Sequence, residues 1–172
     1  MIRNNLIDRL FNMRGKTALV TGGGTGLGLI ITETLANSGA NVIIVSRKEK
    51  NVFATKERLL ATKPEGFIQG IIGDLGHEQE ISELVSKIKK ITDNIDILVN
   101  NAGVSWGSEL GQFPYAAWHK VFSVNVSGLF HLTQNLLPFL ERNATTDSPS
   151  KILNIGSVMG SSPYGDGAYS YS

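Results

Sequence analysis

Five short apolar runs constrain the fold of this chain more than any other feature. They are Thr17–Val20, Asn41–Ser46, Gly66–Ile72, Ile95–Val99 and Lys151–Ile155. The second holds Val42, Ile43, Ile44 and Val45 without a polar break. A strand with one wet face alternates apolar and polar residues; a continuous run suits a strand covered on both faces, as in a parallel sheet. Between the runs the apolar spacing changes to threes and fours. Leu27, Ile30, Ile31 and Leu35 predict a helix stopped at Gly39, and Ile81, Leu84, Val85 and Ile88 predict another. Pro114 to Glu141 predicts one long helix. Its expected buried stripe is Trp118, Val121, Phe122, Leu129, Phe130, Leu136 and Leu137, with Pro138 bending or shortening the last turns. Thr145–Ser150 is a polar loop. Strands alternating with helices predict an α/β fold, a doubly wound parallel sheet with right-handed crossovers.

Composition narrows the function. A chain of 172 residues is long enough for one domain with a core, and no repeat or linker divides it. Sixteen basic against fifteen acidic residues leave +1, which gives no electrostatic case for nucleic acid. No apolar run reaches the roughly 18 residues of a bilayer span, so no membrane partner is expected. There is no cysteine, and His77, His119 and His131 share no ligand-like spacing, so no metal is expected. Met1–Lys16 carries four basic residues and one acid beside Leu6, Ile7, Leu10 and Phe11. It lacks serine and runs into the first strand, which favours a short covering helix over a transit peptide. The expected location is cytoplasmic, with mitochondrial as the alternative.

The nineteen glycines cluster at turns between apolar runs, as a backbone built for close approach to a ligand requires. Thr21-Gly22-Gly23-Gly24-Thr25-Gly26-Leu27-Gly28 joins the first strand to the first helix. It does not fit G-x-G-x-x-G, but it fits T-G-x-x-x-G-x-G through Thr21, Gly22, Gly26 and Gly28. Glycine permits the turn, and the helix N-terminus offers unpaired N–H groups to a diphosphate. Gly24, Thr25 and Leu27 complete the expected cofactor-binding turn; the alternative is a tight strand–helix turn alone. At the end of the second strand stands Ser46-Arg47-Lys48, with no acid until Glu49. A carboxylate there would hold a ribose 2′-hydroxyl, whereas Arg47 can clamp a 2′-phosphate by paired hydrogen bonds. The expected cofactor is NADP(H), against the alternative of a solvated basic turn.

With four further motifs in order, the chain from about Arg14 onward resembles the short-chain dehydrogenase/reductase family, whose fold is Rossmann-like. Gly73-Asp74-Leu75 stands where the family sets an acid and its neighbour against the adenine. Asn100-Asn101-Ala102-Gly103 matches N-N-A-G; the resemblance makes Asn101, Ala102 and Gly103 cofactor contacts and Asn100 a tie between strands. Asn125 matches the family's helix asparagine, and Ser157 its catalytic serine. The alternatives are a helix cap for Asp74, a solvated position for Asn125 and simple loop chemistry for Ser157. Asn125-Val126-Ser127 and Asn143-Ala144-Thr145 are also sequons, taken here as chance.

The family's Y-x-x-x-K excludes Tyr164, because Ala168 fills the lysine position. Tyr171 is favoured over Tyr169, since Tyr171-Ser172 looks like the opening of Y-S-A-S-K. The lysine would then fall beyond Ser172. On this resemblance the chain is a single dinucleotide-binding domain over 1–172, the N-terminal two-thirds of a reductase, its sheet incomplete at the C-terminus and the piece itself inactive. The resemblance implies reversible hydride transfer, with Ser157 polarising a substrate oxygen, Tyr171 as acid or base, and Asn125 anchoring a water. Asn101–Gly107 and Gly156–Gly160 are similar to the β-ketoacyl reductase-like subgroup, which makes a 3-oxoacyl carbonyl the leading substrate. Trp106, Val158, Met159 and Tyr164 would flank its pocket or serve as packing. The rival readings are a sugar or polyol dehydrogenase and a non-catalytic NADP(H)-binding regulatory module. The family also places the Pro114–Glu141 helix at a dimer interface, so the full-length protein is expected to be a homo-oligomer.

Overall fold

The computed structural model describes residues 10–109, 111–160, 162 and 168–170. Its main sheet is parallel and five-stranded. It is built from β1 (Thr17–Thr21), β2 (Asn41–Ser46), β3 (Ile68–Ile72), β4 (Ile97–Asn100) and, after two intervening helices, Lys151–Asn154. A short strand, β5 (Trp106–Ser108), precedes that last one, which is therefore β6; the spatial order is β3-β2-β1-β4-β6. The parallel pairing follows from the crossovers: α1 (Gly26–Asn37), α2 (Glu49–Ala61) and α3 (Glu78–Lys89) separate the first four strands.

Continuous apolar runs are explained by two cores, one on each face of the sheet. Leu19, Ile43, Val45, Ile71 and Leu98 point to one side, where they meet Ile81, Leu84, Ile88, Leu132 and Leu136. Their neighbours Ala18, Val20, Val42, Ile44 and Val99 point to the other and meet Ala36 and Leu59. Successive side chains alternate faces, so a strand buried on both has no place for a polar residue. Ile95 belongs to the core without belonging to β4, since its N–H donates to the Phe139 carbonyl at 3.0 Å. Among the described residues, no helix is long and apolar enough to cross a membrane.

Three helical expectations are corrected. In α1 the buried positions are Gly28, Thr32 and Ala36, while Leu27 and Ile30 are exposed. Small residues let that helix lie close to the sheet, and the Thr32 hydroxyl donates to the Gly23 carbonyl at 3.1 Å. Helix α2 has no counterpart in the sequence reading, because its buried face is only Val52, Thr55 and Leu59. The long helix is three segments: α4 (Tyr115–Phe122), a π-helix (Ser123–Gly128) and α5 (Leu129–Glu141). The π turn rotates the buried face, which runs through Ala117, Val121, Val124, Gly128, Leu132, Leu136, Phe139 and Leu140. Trp118, Phe130 and Leu137, expected in the stripe, are exposed, Phe130 by 65 %. Pro138 does not end α5, which continues to Glu141. It stands on the exposed face, where water can take the carbonyl its missing N–H leaves unpaired. A second, antiparallel pair joins β5 to β7 (Ala168–Ser170) and was not foreseen.

Candidate active site

The turn after β1 is held from beneath by Thr21. Its buried hydroxyl donates to the Val99 carbonyl at 3.2 Å and accepts the N–H groups of Asn101 and Ala102, both at 3.0 Å. The Asn101 amide adds a second clasp, Nδ2 donating to the carbonyls of Thr21 at 3.0 Å and Gly22 at 3.4 Å. The first crossover and the loop after β4 are thereby one unit.

Two glycines in this turn are required by space. Gly22 has φ +66°, and a Cβ on it would lie 2.9 Å from Asn101 Nδ2. On Gly28 a Cβ would lie 2.3 Å from the Gly22 carbonyl oxygen and 2.4 Å from Asn101 Nδ2. The helix N-terminus therefore sits against the turn, with its first N–H groups lacking intrahelical partners. Thr25 is the N-cap residue, and its side chain makes no capping bond.

Above this turn opens a cleft of about 350 Å³. Of the expected cofactor residues, Gly22, Thr25, Leu27 and Gly28 line it from the turn, and Ser46, Arg47 and Lys48 from the end of β2. Asp74 and Leu75 line it from the loop after β3, and Asn101, Ala102 and Gly103 from the loop after β4. Thr21, Gly24 and Gly26 do not. Thr21 acts from below, Gly26 is an exposed positive-φ position, and Gly24 packs against Asn51, its carbonyl accepting the Thr55 hydroxyl at 3.2 Å. Asn51, Val45, Gly73, Val104 and Val124 also line the cleft and were missed. The signal for Asn51 lay in α2, a helix with too few apolar positions to announce itself.

Charge at the far end of the cleft is mixed. Arg47 Nη1 lies 3.6 Å from Asp74 Oδ2, and Asp74 Oδ1 accepts the Gly76 N–H at 2.8 Å. Asp74 thus closes a turn; the N-cap of α3 is His77.

A second cleft, of about 440 Å³, shares Asn101, Ala102, Gly103 and Val104 with the first and adds Asn125 and Ser157. The two are continuous along one wall of backbone. Asn125 belongs to the π-helix and holds that wall: Oδ1 accepts the Val104 N–H at 2.9 Å and Nδ2 donates to the Val104 carbonyl at 2.8 Å. Its side chain is engaged with protein at both ends, which the expectation of a water anchor did not include. Asn100 Nδ2 donates to Asn154 Oδ1 at 2.9 Å and Thr133 Oγ1 at 3.1 Å, tying β4 to β6 and α5. Ser157 follows β6, and its Oγ accepts the Met159 N–H at 3.2 Å. A hydroxyl that accepts keeps its own hydrogen for a substrate oxygen. Val158 and Met159 lie in a 3₁₀ turn, Val158 largely exposed. Tyr171 and Tyr164 lie outside the described residues, and Tyr169 belongs to β7, paired with Gly107.

Comparison with known proteins adds relatives to this geometry. The family model for short chain dehydrogenase matches residues 16–172. The rhamnolipids biosynthesis 3-oxoacyl acyl-carrier-protein reductase of Pseudomonas aeruginosa is 41 % identical over 161 residues, covering 94 % of this chain and 62 % of that protein. The 3-oxoacyl acyl-carrier-protein reductase of Aquifex aeolicus is 35 % identical over 148 residues, 86 % of this chain and 58 % of the relative. Among solved structures, the Pseudomonas aeruginosa RhlG/NADP active-site complex superimposes with a TM-score of 0.87 at 41 % identity, covering 94 % of this chain and 62 % of that one. A 3-oxoacyl acyl-carrier-protein reductase from Agrobacterium tumefaciens C58 with NADP bound gives 0.81 at 28 % identity, covering 95 % and 60 %. The chain therefore spans about three-fifths of the length of these relatives.

Proposed function

This chain belongs to the short chain dehydrogenase family, and from that premise we propose that the protein is an NADP(H)-dependent oxidoreductase reducing a carbonyl, of 3-oxoacyl type or another ketone, to the alcohol. The observation that carries the proposal is the cleft above the glycine turn. A Cβ on Gly28 would overlap the Gly22 backbone, so the turn and helix end are packed as closely as a diphosphate cradle needs. Arg47 and Lys48 stand at its far end with no carboxylate at the close of β2. These residues fit a 2′-phosphorylated dinucleotide. The relatives support the same cofactor, two of the similar structures holding NADP by description.

The nicotinamide coenzyme, when bound, supplies the hydride. The chain's own residues bind and orient. The turn from Gly22 to Gly28 takes the diphosphate, Ser46, Arg47 and Lys48 the 2′-phosphate, and Asp74 and Leu75 flank the adenine. The wall from Asn101 to Val104, fixed by Thr21 below and Asn125 beside, separates this cleft from the one at Ser157. There the Ser157 hydroxyl donates to the substrate oxygen where negative charge develops, and Tyr171 delivers the proton as general acid. The description of the Pseudomonas aeruginosa relative as a 3-oxoacyl reductase supports the substrate class. The exposed Trp118, Phe130 and Leu137 along α4 and α5 support a homo-oligomer.

Titration with NADPH and NADH, read by nucleotide fluorescence or heat, tests the cofactor. Tighter binding of NADPH is expected, and equal or tighter binding of NADH would overturn the proposal.

A further inference from the structure

We propose that Asp74 sets coenzyme selectivity by holding Arg47 across the mouth of the nucleotide cleft, so that a 2′-phosphate has to take the guanidinium from it. The proposal rests on the NADP(H) reading of that cleft. Adjacent strands bring the two side chains together: the β2–β3 register pairs Ser46 with Ile72, so Arg47 and Asp74 leave neighbouring strand ends side by side. Among the described residues Asp74 is the carboxylate that reaches Arg47, at 3.6 Å. A charge-assisted N–H···O bond measures about 2.7–2.9 Å, so this is a Coulombic contact without a hydrogen bond.

The two partners are not equally fixed. Asp74 Oδ1 accepts the Gly76 N–H at 2.8 Å, and the Asp74 N–H donates to Glu80 Oε2 at 3.2 Å, so backbone geometry locks the carboxylate. The Asp74 side chain is only 24 % exposed, whereas that of Arg47 is 45 % exposed, on a long flexible stem. Arg47 is the partner that can leave. A phosphate carries roughly −1.5 to −2 charge and accepts the guanidinium fork bidentately, which a single loose carboxylate contact does not match. A coenzyme with a free 2′-hydroxyl makes no such claim on Arg47. The Asp74 contact therefore lowers affinity for the 2′-phosphorylated coenzyme alone, and the discrimination of this cleft stays below what Arg47 could deliver unopposed.

The test is equilibrium titration of the wild type, Asp74→Asn, Arg47→Ala and the double variant with NADPH and NADH. Asn keeps an oxygen for the Gly76 N–H while removing the charge. The ratio of the NADH to the NADPH dissociation constant is expected to rise roughly three- to five-fold in Asp74→Asn, the scale of a partly exposed ion pair. In Arg47→Ala the ratio falls, and Asp74→Asn adds little to it there. Asp74→Ser, which also retains a short acceptor, gives the same direction, and NADH affinity in each sample reports that the cleft is folded. An unchanged ratio with both affinities shifted alike marks a contact to the adenine only and overturns the proposal. So does a gain that survives undiminished in the Arg47→Ala background. A wild type that binds NADH as tightly as NADPH overturns the cofactor reading and this proposal together; a wild type that prefers NADPH beside an unresponsive Asp74→Asn overturns this proposal alone.

Discussion

Strands β2 and β6 carry similar apolar sequence and meet opposite fates. In β2, Val42, Ile43 and Ile44 are 0 % exposed, because α1 and α2 cover one face and the core around α3 and α5 the other. In β6 every residue is exposed, Leu153 by 45 %, and the strand pairs with β4 on one side only. Burial thus follows a strand's place in the sheet order and not its composition. The same division separates the two clefts. The glycine turn and Arg47 sit on the densely packed β1–β2 side, while Ser157 hangs from the exposed strand and is steadied by the Asn100–Asn154 tie.

The contrast is most easily broken by truncation. Ile43→Ala is expected to cost about 2–5 kcal/mol, the range for a fully buried large-to-small change, whereas Leu153→Ala should cost well under that. Urea midpoints of the two variants check it, and comparable losses would mean that β6 is covered in solution. Gly28→Ala comes next. Its Cβ would press on the Gly22 backbone, so a loss of about 1–3 kcal/mol is expected, the cost of overpacking, with at least about tenfold weaker NADPH binding. Unchanged affinity would mean that the turn yields and that the nucleotide side is less rigid than its packing implies. The smallest effect is assigned to Glu65→Gln. Glu65 pairs with Arg14 at the surface of the better-packed side, and that hydrogen bond and charge lower its pKa. A depressed carboxylate contributes stability above its unfolded pKa and loses it as pH falls through the folded value. The variant should therefore match the wild type within error at neutral pH in Tm and show a slightly flatter acid limb. A large loss at neutral pH would show that charge, not packing, separates the two halves.

Much of this was legible in the chain itself. The boundaries Asn41–Ser46 of β2 agree in sequence and structure because four consecutive β-branched residues between polar ends admit little else. The glycine turn was legible for a similar reason: few other arrangements need so many residues without Cβ. What escaped was tertiary. Nothing in Leu27 and Ile30 says that Gly28, Thr32 and Ala36 take the sheet-facing side, since close approach favours small residues over apolar ones. The role of Thr21 as an anchor for the loop after β4 depends on a contact 80 residues away. Periodicity misplaced Trp118, Phe130 and Leu137 because it counts turns of one pitch.

The wide turn at Ser123–Gly128 has a consequence for chain length. It stores one surplus residue, and deleting any single residue there would let the backbone relax to ordinary pitch and swing whatever precedes it by about 100° relative to whatever follows. Asn125 would then lose its two-point hold on Val104 without being mutated. In this segment a missing codon is more damaging than most altered ones, and natural variation here should be in letters, never in count.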